Sequence, residues 1–159
     1  MPIYMQIEGG KVEGESKDDG HEKWIDILSM SGAVSNNGTF AMGGGGGRGR
    51  SQLADLSVLV NEGKSSPGLF QACCDGTHFK DATLHFTKSG GAQEVYMKWE
   101  LTNVLVSSYS ISGSGEDVPT DSVTFNFEKI KYTYLEQDEK GKVSVAAEAT
   151  WDQGKNKAI

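Results

Sequence analysis

Apolar and polar residues alternate with a period of two along most of this chain, the pattern expected of strands that bury one face. Ile3, Met5 and Ile7 alternate with Tyr4, Gln6 and Glu8 to give a first strand. A second stretch, Trp24 to Ser35, is apolar at first and then rich in small residues. It runs into Asn37-Gly38, a dipeptide suited to a tight hairpin because both central positions accept positive φ. Leu56, Val58 and Val60 alternate with Asp55 and Ser57, and Ala82, Leu84 and Phe86 alternate with Thr83, His85 and Thr87.

The longest stretch runs from Gln93 to Ile111. It sets Val95, Met97, Trp99 and Leu101 on one face, and around Val104 to Val106 both faces turn apolar. In the next strand Val123, Phe125 and Phe127 share one parity while Ile130, Tyr132 and Tyr134 share the other. One extra residue flips every later side chain, so a β-bulge is expected near Glu128-Lys129. Val143, Val145, Ala147, Ala149 and Trp151 complete a final strand.

One segment departs from this pattern. Ser66 suits a helix cap, Pro67 its first position and Gly76 the residue after its end. Between them Leu69, Phe70, Cys73 and Cys74 form an apolar stripe. The sum of these elements predicts a mostly β protein, a single domain over residues 1–159. Its architecture is an antiparallel β-barrel of two packed sheets with one short α-helix and an extended glycine-rich loop.

Composition narrows the function. Twenty-one glycines in 159 residues favour turns and bulges over long helices. A net charge of −7 argues against nucleic acid, whose binding begins with phosphate neutralisation, and against an anionic membrane surface. No apolar run approaches a bilayer span, so no membrane insertion is expected. Met1 to Gly10 has no basic start followed by an apolar stretch, which predicts cytoplasmic synthesis without a signal peptide. Adjacent Cys73 and Cys74 form no disulfide framework, and reduced, buried thiols are expected.

Candidate chemistry is sparse. The run Gly43-Gly44-Gly45-Gly46-Gly47-Arg48-Gly49-Arg50 resembles a phosphate loop, yet it lacks the Lys-Ser/Thr ending and leads into a strand pattern. It reads instead as a surface loop, either mobile or ordered by a partner, with Arg48 and Arg50 solvated or meeting a neighbour's carboxylates. Cys73, Cys74, Asp75 and His78 lack the C-x₂-C spacing of structural zinc. His21, His78 and His85 sit in no nucleophile or zinc motif. No metal and no cofactor are predicted, and nothing supports an enzyme.

Several stretches in order resemble the Hcp (hemolysin-coregulated protein) family, the tube subunit of bacterial type VI secretion. They are Gly14-Glu15-Ser16-Lys17-Asp18 with His21 and Ile25-Asp26-Ile27-Leu28, then the Met42 to Gly47 glycine run. Ser65-Ser66-Pro67 with Leu69, Ala72-Cys73 and Gly76-Thr77-His78 follow. Leu105-Val106-Ser107-Ser108-Tyr109, Gly113-Ser114-Gly115-Glu116-Asp117 and Val123-Thr124-Phe125-Asn126-Phe127 complete the set. The chain departs from the family's pattern at Asn61-Glu62-Gly63 before Lys64, where many members carry an Asp-Lys pair, and at the doubled cysteine.

The resemblance implies a non-catalytic subunit that forms hexameric rings with copies of itself. Those rings stack into a tube inside a contractile sheath, capped by a spike. Small effector proteins ride in the lumen, and the tube is secreted through the apparatus. A ring needs one surface of each subunit to fit a different surface of the next. Residues whose apolar parity exceeds the need of one core face, Val104, Val106, Tyr132 and Tyr134, are candidate ring contacts, unless the tyrosines fill the barrel. The loop Gly43 to Arg50 is the candidate for stacking. Ser29 and Ser31, opposite Leu28 and Met30, are expected to face the channel while Leu28 and Met30 face the core; the alternative puts the serines on the outer wall. A monomeric ligand-binding barrel and an enzyme with an unrecognised site are the competing readings.

Overall fold

The alternating segments pair as strands in a computed structural model that describes residues 1–38, 50–89 and 94–159. Gly43 to Gly49 and Gln93 therefore lie outside the described residues. The strands are β1 (Ile3–Ile7), β2 (Ile25–Ile27), β3 (Ser29–Ser31), β4 (Val34–Asn36), β5 (Ser51–Leu53) and β6 (Leu56–Asn61). After helix α1 (Ser66–Asp75) come β7 (His78–Thr87), β8 (Val95–Ser112), β9 (Thr120–Gln137) and β10 (Val143–Asp152).

An antiparallel sheet runs in the order β2-β1-β7-β8-β9-β6-β3, with β10 also on β9. Its two ends are one stretch of chain. β2 pairs with β1, β3 pairs with β6, and at the break between them the Leu28 N–H donates to the Leu59 carbonyl at 2.8 Å. The sheet thereby nearly closes into a barrel, which removes most free edges. Met5, Ile7, Leu56, Leu84, Leu101, Val104, Val123 and Phe125 fill its centre, each at most 1% exposed.

The expected parity change near Glu128 is present, but its cause is not one extra residue in one strand. Phe79 and Ala82 on β7, Leu101 and Val104 on β8, and Phe127 and Ile130 on β9 all switch the core-facing parity together. Pairing stays in register across the change, since Leu101 is opposite Ile130 and Val104 is opposite Phe127. The same holds between Ala82–Leu101 and Phe79–Val104. A transverse crease thus crosses three strands at Lys80, Asn103 and Glu128. Asn103 takes a left-handed φ of 53° there, and its amide donates to the Glu128 carboxylate.

Helix α1 packs Leu69 and Ala72 into the core, with Cys73 half-buried beside them. Phe70 and Cys74 sit one residue further round the helix and are exposed, which corrects the expected stripe and the expectation that both thiols are buried. The cap position falls to Ser65, with Ser66 as the first helical residue and Gly76 closing the helix at φ 68°. The predicted tight turn at Asn37-Gly38 is also corrected. Asn36 pairs with Ser51, so Asn37-Gly38 does not by itself turn β4 back onto its partner strand.

Candidate functional site

β9 pairs along one edge with β8, and its second edge is shared. β6 takes Thr120–Phe125 and β10 takes residues 129–137, so the sheet forks around Asn126 to Glu128. Gln153, just past β10, holds the fork together. Its Nε2 donates to the Phe127 carbonyl at 3.0 Å, and its Oε1 accepts from the Leu53 N–H at 3.2 Å. The bond to Leu53 ties β5, and with it the β4–β5 pair, to β9. Arg50, the last residue of the Gly43 to Arg50 run, donates to the Gln153 carbonyl at 3.4 Å.

Two concavities flank the fork. An apolar groove of about 340 Å³ lies between the β4–β5 pair and β9–β10, lined by Gly32, Leu53, Trp99, Ile130, Tyr132 and Ala149. The Trp99 and Tyr132 rings pack 5.4 Å apart, and the Trp99 indole N–H is buried without an acceptor. On the other side a polar cleft of about 600 Å³ is lined by Arg50, His78, Asn103, Asn126 and Glu128.

Beyond the groove, β10 offers little to the core. Val145 is 58% exposed, Val34 on β4 64% and Tyr134 43%. Ala147, Ala149 and Trp151 stand opposite Tyr134, Tyr132 and Ile130, extending one apolar strip across β9 and β10. Among the described residues the outer edge of β10 pairs with no further strand, and near its end it carries the bridge between Asp152 and Lys157 and the bonds between the Thr150 hydroxyl and Ile159. The arrangement suits apolar contact and strand pairing with another surface.

The predicted site residues fall in different places. Tyr132 and Tyr134 lie on this exposed strip and do not fill the barrel. Val104 and Val106 do the opposite: at 0% and 2% exposed they belong to the subunit's own core and have no surface for a neighbour. The surplus apolar residue in that stretch is Leu105, half-exposed at the polar cleft. Ser29 and Ser31 are exposed, and Met30 between them packs against the core. Leu28, expected in the core, is 50% exposed, because parity changes where the chain crosses from β1 to β6: Ile25 and Ile27 are buried before the break, Met30 after it.

One polar cluster was not foreseen. Asp18 Oδ2 lies 2.7 Å from His21 Nδ1, and His21 Nε2 lies 2.9 Å from His85 Nδ1. Tyr4 stacks on His21 at 4.5 Å, and Trp24 covers His85 at 4.7 Å. Burial, with the nearby His21 and Lys98, pushes the His85 pKa down to about 4. The only sequence signal was His21 itself, since its partner His85 is 64 residues away. Among the described residues no group of His, Cys, Asp and Glu is placed to hold a metal ion.

Residues 4–134 match the family model described as "Type VI secretion system effector, Hcp". The chain is 43% identical over 143 residues to the protein hcp1 of Pseudomonas aeruginosa, covering 89% of this chain and 88% of that one. A solved type six secretion system protein superposes with a TM-score of 0.90 at 29% identity, covering 99% of each chain. An Hcp protein from Salmonella typhimurium gives 0.79 at 28% identity, again with 99% of each chain covered. A nearly closed barrel with one helix, an ordered run of matching segments and these likenesses agree: the chain belongs to the Hcp family of type VI secretion tube proteins.

Proposed function

We propose that copies of this chain close into hexameric rings, that the rings stack into a hollow tube, and that the subunit's work is mechanical and not catalytic. One observation carries this reading. A barrel that has completed its own core still exposes the apolar strip of Tyr132, Tyr134, Ala147 and Ala149 beside an apolar groove and a strand whose outer edge, among the described residues, is largely unpaired. Isolated exposed apolar residues need no explanation, but a contiguous patch joined to an unpaired strand edge marks a protein contact. Because the patch differs from the rest of the wall, its partner is a different surface of the next copy, the head-to-tail contact that closes a ring.

Other surfaces take their roles from this arrangement. Ser29 and Ser31, small, polar and exposed, form part of the channel wall, along which small effector proteins pass. The loop Gly43 to Arg50, rooted at the Gln153 anchor, reaches the adjacent ring. Sheath and spike proteins are the outer partners, and the assembled tube leaves the cytoplasm through the secretion apparatus.

Native mass spectrometry of the full chain, with negative-stain microscopy, tests the proposal. The expected result is a six-subunit species seen as rings with an open centre. A strict monomer at high concentration overturns it.

A further inference from the structure

Glu62 follows β6, and Asp121 lies near the start of β9. Asp121 is completely buried. Two oxygens, Glu62 Oε2 and Asp121 Oδ1, are sealed from water and have no donor of their own. Val60 stands opposite Asp121 and the Glu62 N–H donates to the Pro119 carbonyl at 2.9 Å, so Glu62 and Asp121 are diagonal neighbours on one face of the β6–β9 pair. Among the described residues neither forms an ion pair. The groups facing them are the Ser66 hydroxyl from α1, which donates to Asp121 Oδ2 at 2.6 Å, and the Tyr109 hydroxyl from β8. Two adjacent anions, Asp121 fully buried and Glu62 half-buried, are costly without a cation, and one proton removes the conflict, because a carboxylic acid donates where a carboxylate only accepts.

We propose that Glu62 and Asp121 hold a single proton between them, forming a pH-sensitive latch that ties the start of helix α1 to β9. Ser66 donates to Asp121, so the negative charge rests there and the proton on Glu62. Each orphaned oxygen then has its partner: Glu62 donates and Asp121 accepts. Ser66 extends the latch into the helix, since its hydroxyl also accepts from the Gly63 N–H at 3.0 Å. Tyr109 stays neutral, its pKa pushed up to about 12 by burial and then by the neighbouring Asp121 carboxylate. For Glu62 the hydrogen bond to Asp121, then burial and the Asp121 charge, all act to raise its pKa above the usual 4.5. A raised carboxyl contributes stability that is complete below its unfolded value and lost as pH rises through its folded value.

Thermal unfolding of the full chain and of Glu62→Gln across pH tests the latch. The glutamine amide donates to Asp121 at every pH. The Tm of the wild type is expected to fall relative to E62Q from acid to alkaline pH, by about 3–5 °C for each tenfold gain in proton affinity. Parallel curves overturn the proposal. If E62Q does not fold, carboxyl-carbon NMR titration of the wild type decides. Glu62 protonated above the ordinary carboxyl range supports the latch, and ordinary titration of Glu62 overturns it.

Discussion

Leu53 and Gln153 stand 100 residues apart in the chain, and the Leu53 N–H donates to the Gln153 side chain at 3.2 Å. With the bond from Gln153 Nε2 to the Phe127 carbonyl, one amide joins β5, β9 and the segment after β10. Truncation removes both bonds at once. Gln153→Ala should cost about 1–3 kcal/mol, because a partly buried donor and an acceptor lose their partners. Hydrogen exchange should quicken at Leu53 and through β4, while amides of β7 and β8 stay protected. Unchanged exchange at Leu53 would mean that the β4–β5 pair is held elsewhere.

Tyr132 and Val106 allow assembly and folding to be tested separately. Tyr132 and Tyr134 are 38% and 43% exposed, whereas Val106 is 2% exposed and Val104 fully buried. The double variant Tyr132→Ser, Tyr134→Ser should keep the unfolding midpoint of the isolated subunit and shift the native mass spectrum from rings toward monomer. Val106→Ala should lower subunit stability by about 1–2 kcal/mol through lost apolar burial, with ring contacts untouched. Rings that persist in the double variant would place the interface away from this strip.

His85 sets a second pH dependence, opposite in sign to that of a raised carboxyl. Burial holds its pKa down at about 4, against the usual 6.5, so between these values the unfolded chain binds the extra proton and the folded chain resists it. The stability contributed by neutral His85 is complete above the unfolded value and is lost as pH falls through that window. His85→Gln should flatten the unfolding midpoint across this range, and an unchanged slope would assign the acid sensitivity to other groups.

Much of the barrel was legible because one-sided burial imposes period two, and the strands read from Ile3, Leu56, Ala82 and Val123 all form. The extent of the helix was legible from Pro67 and Gly76, but its buried face was not, because Phe70 is as apolar as Leu69 and only docking on β8 separates them. Val104 and Val106 were misassigned for a related reason: a doubly apolar stretch shows that one residue is surplus without showing which. The Asp18–His21–His85 relay and the Glu62–Asp121 pair depend on strands brought together from far along the chain. No local spacing records that meeting. The exposed strip on β10 has the same alternation as a core strand, and only the fork at Phe127 leaves it outside.

The crease makes the sharpest prediction about backbone. At Asn103 the chain must take a left-handed φ of 53° so that β8 can turn its other face inward in step with β7 and β9. Asparagine tolerates that region, glycine has no Cβ to oppose it, and a β-branched side chain resists it at about 1–2 kcal/mol. Asn103→Val should therefore lower the unfolding free energy extrapolated from urea titration by about that amount. Asn103→Gly should lose only the exposed bond to Glu128, a smaller effect. The contrast follows from backbone geometry, since neither replacement can make the side-chain bond. If valine were as stable as glycine at this position, the left-handed turn would not be what holds three strands in register across the parity change.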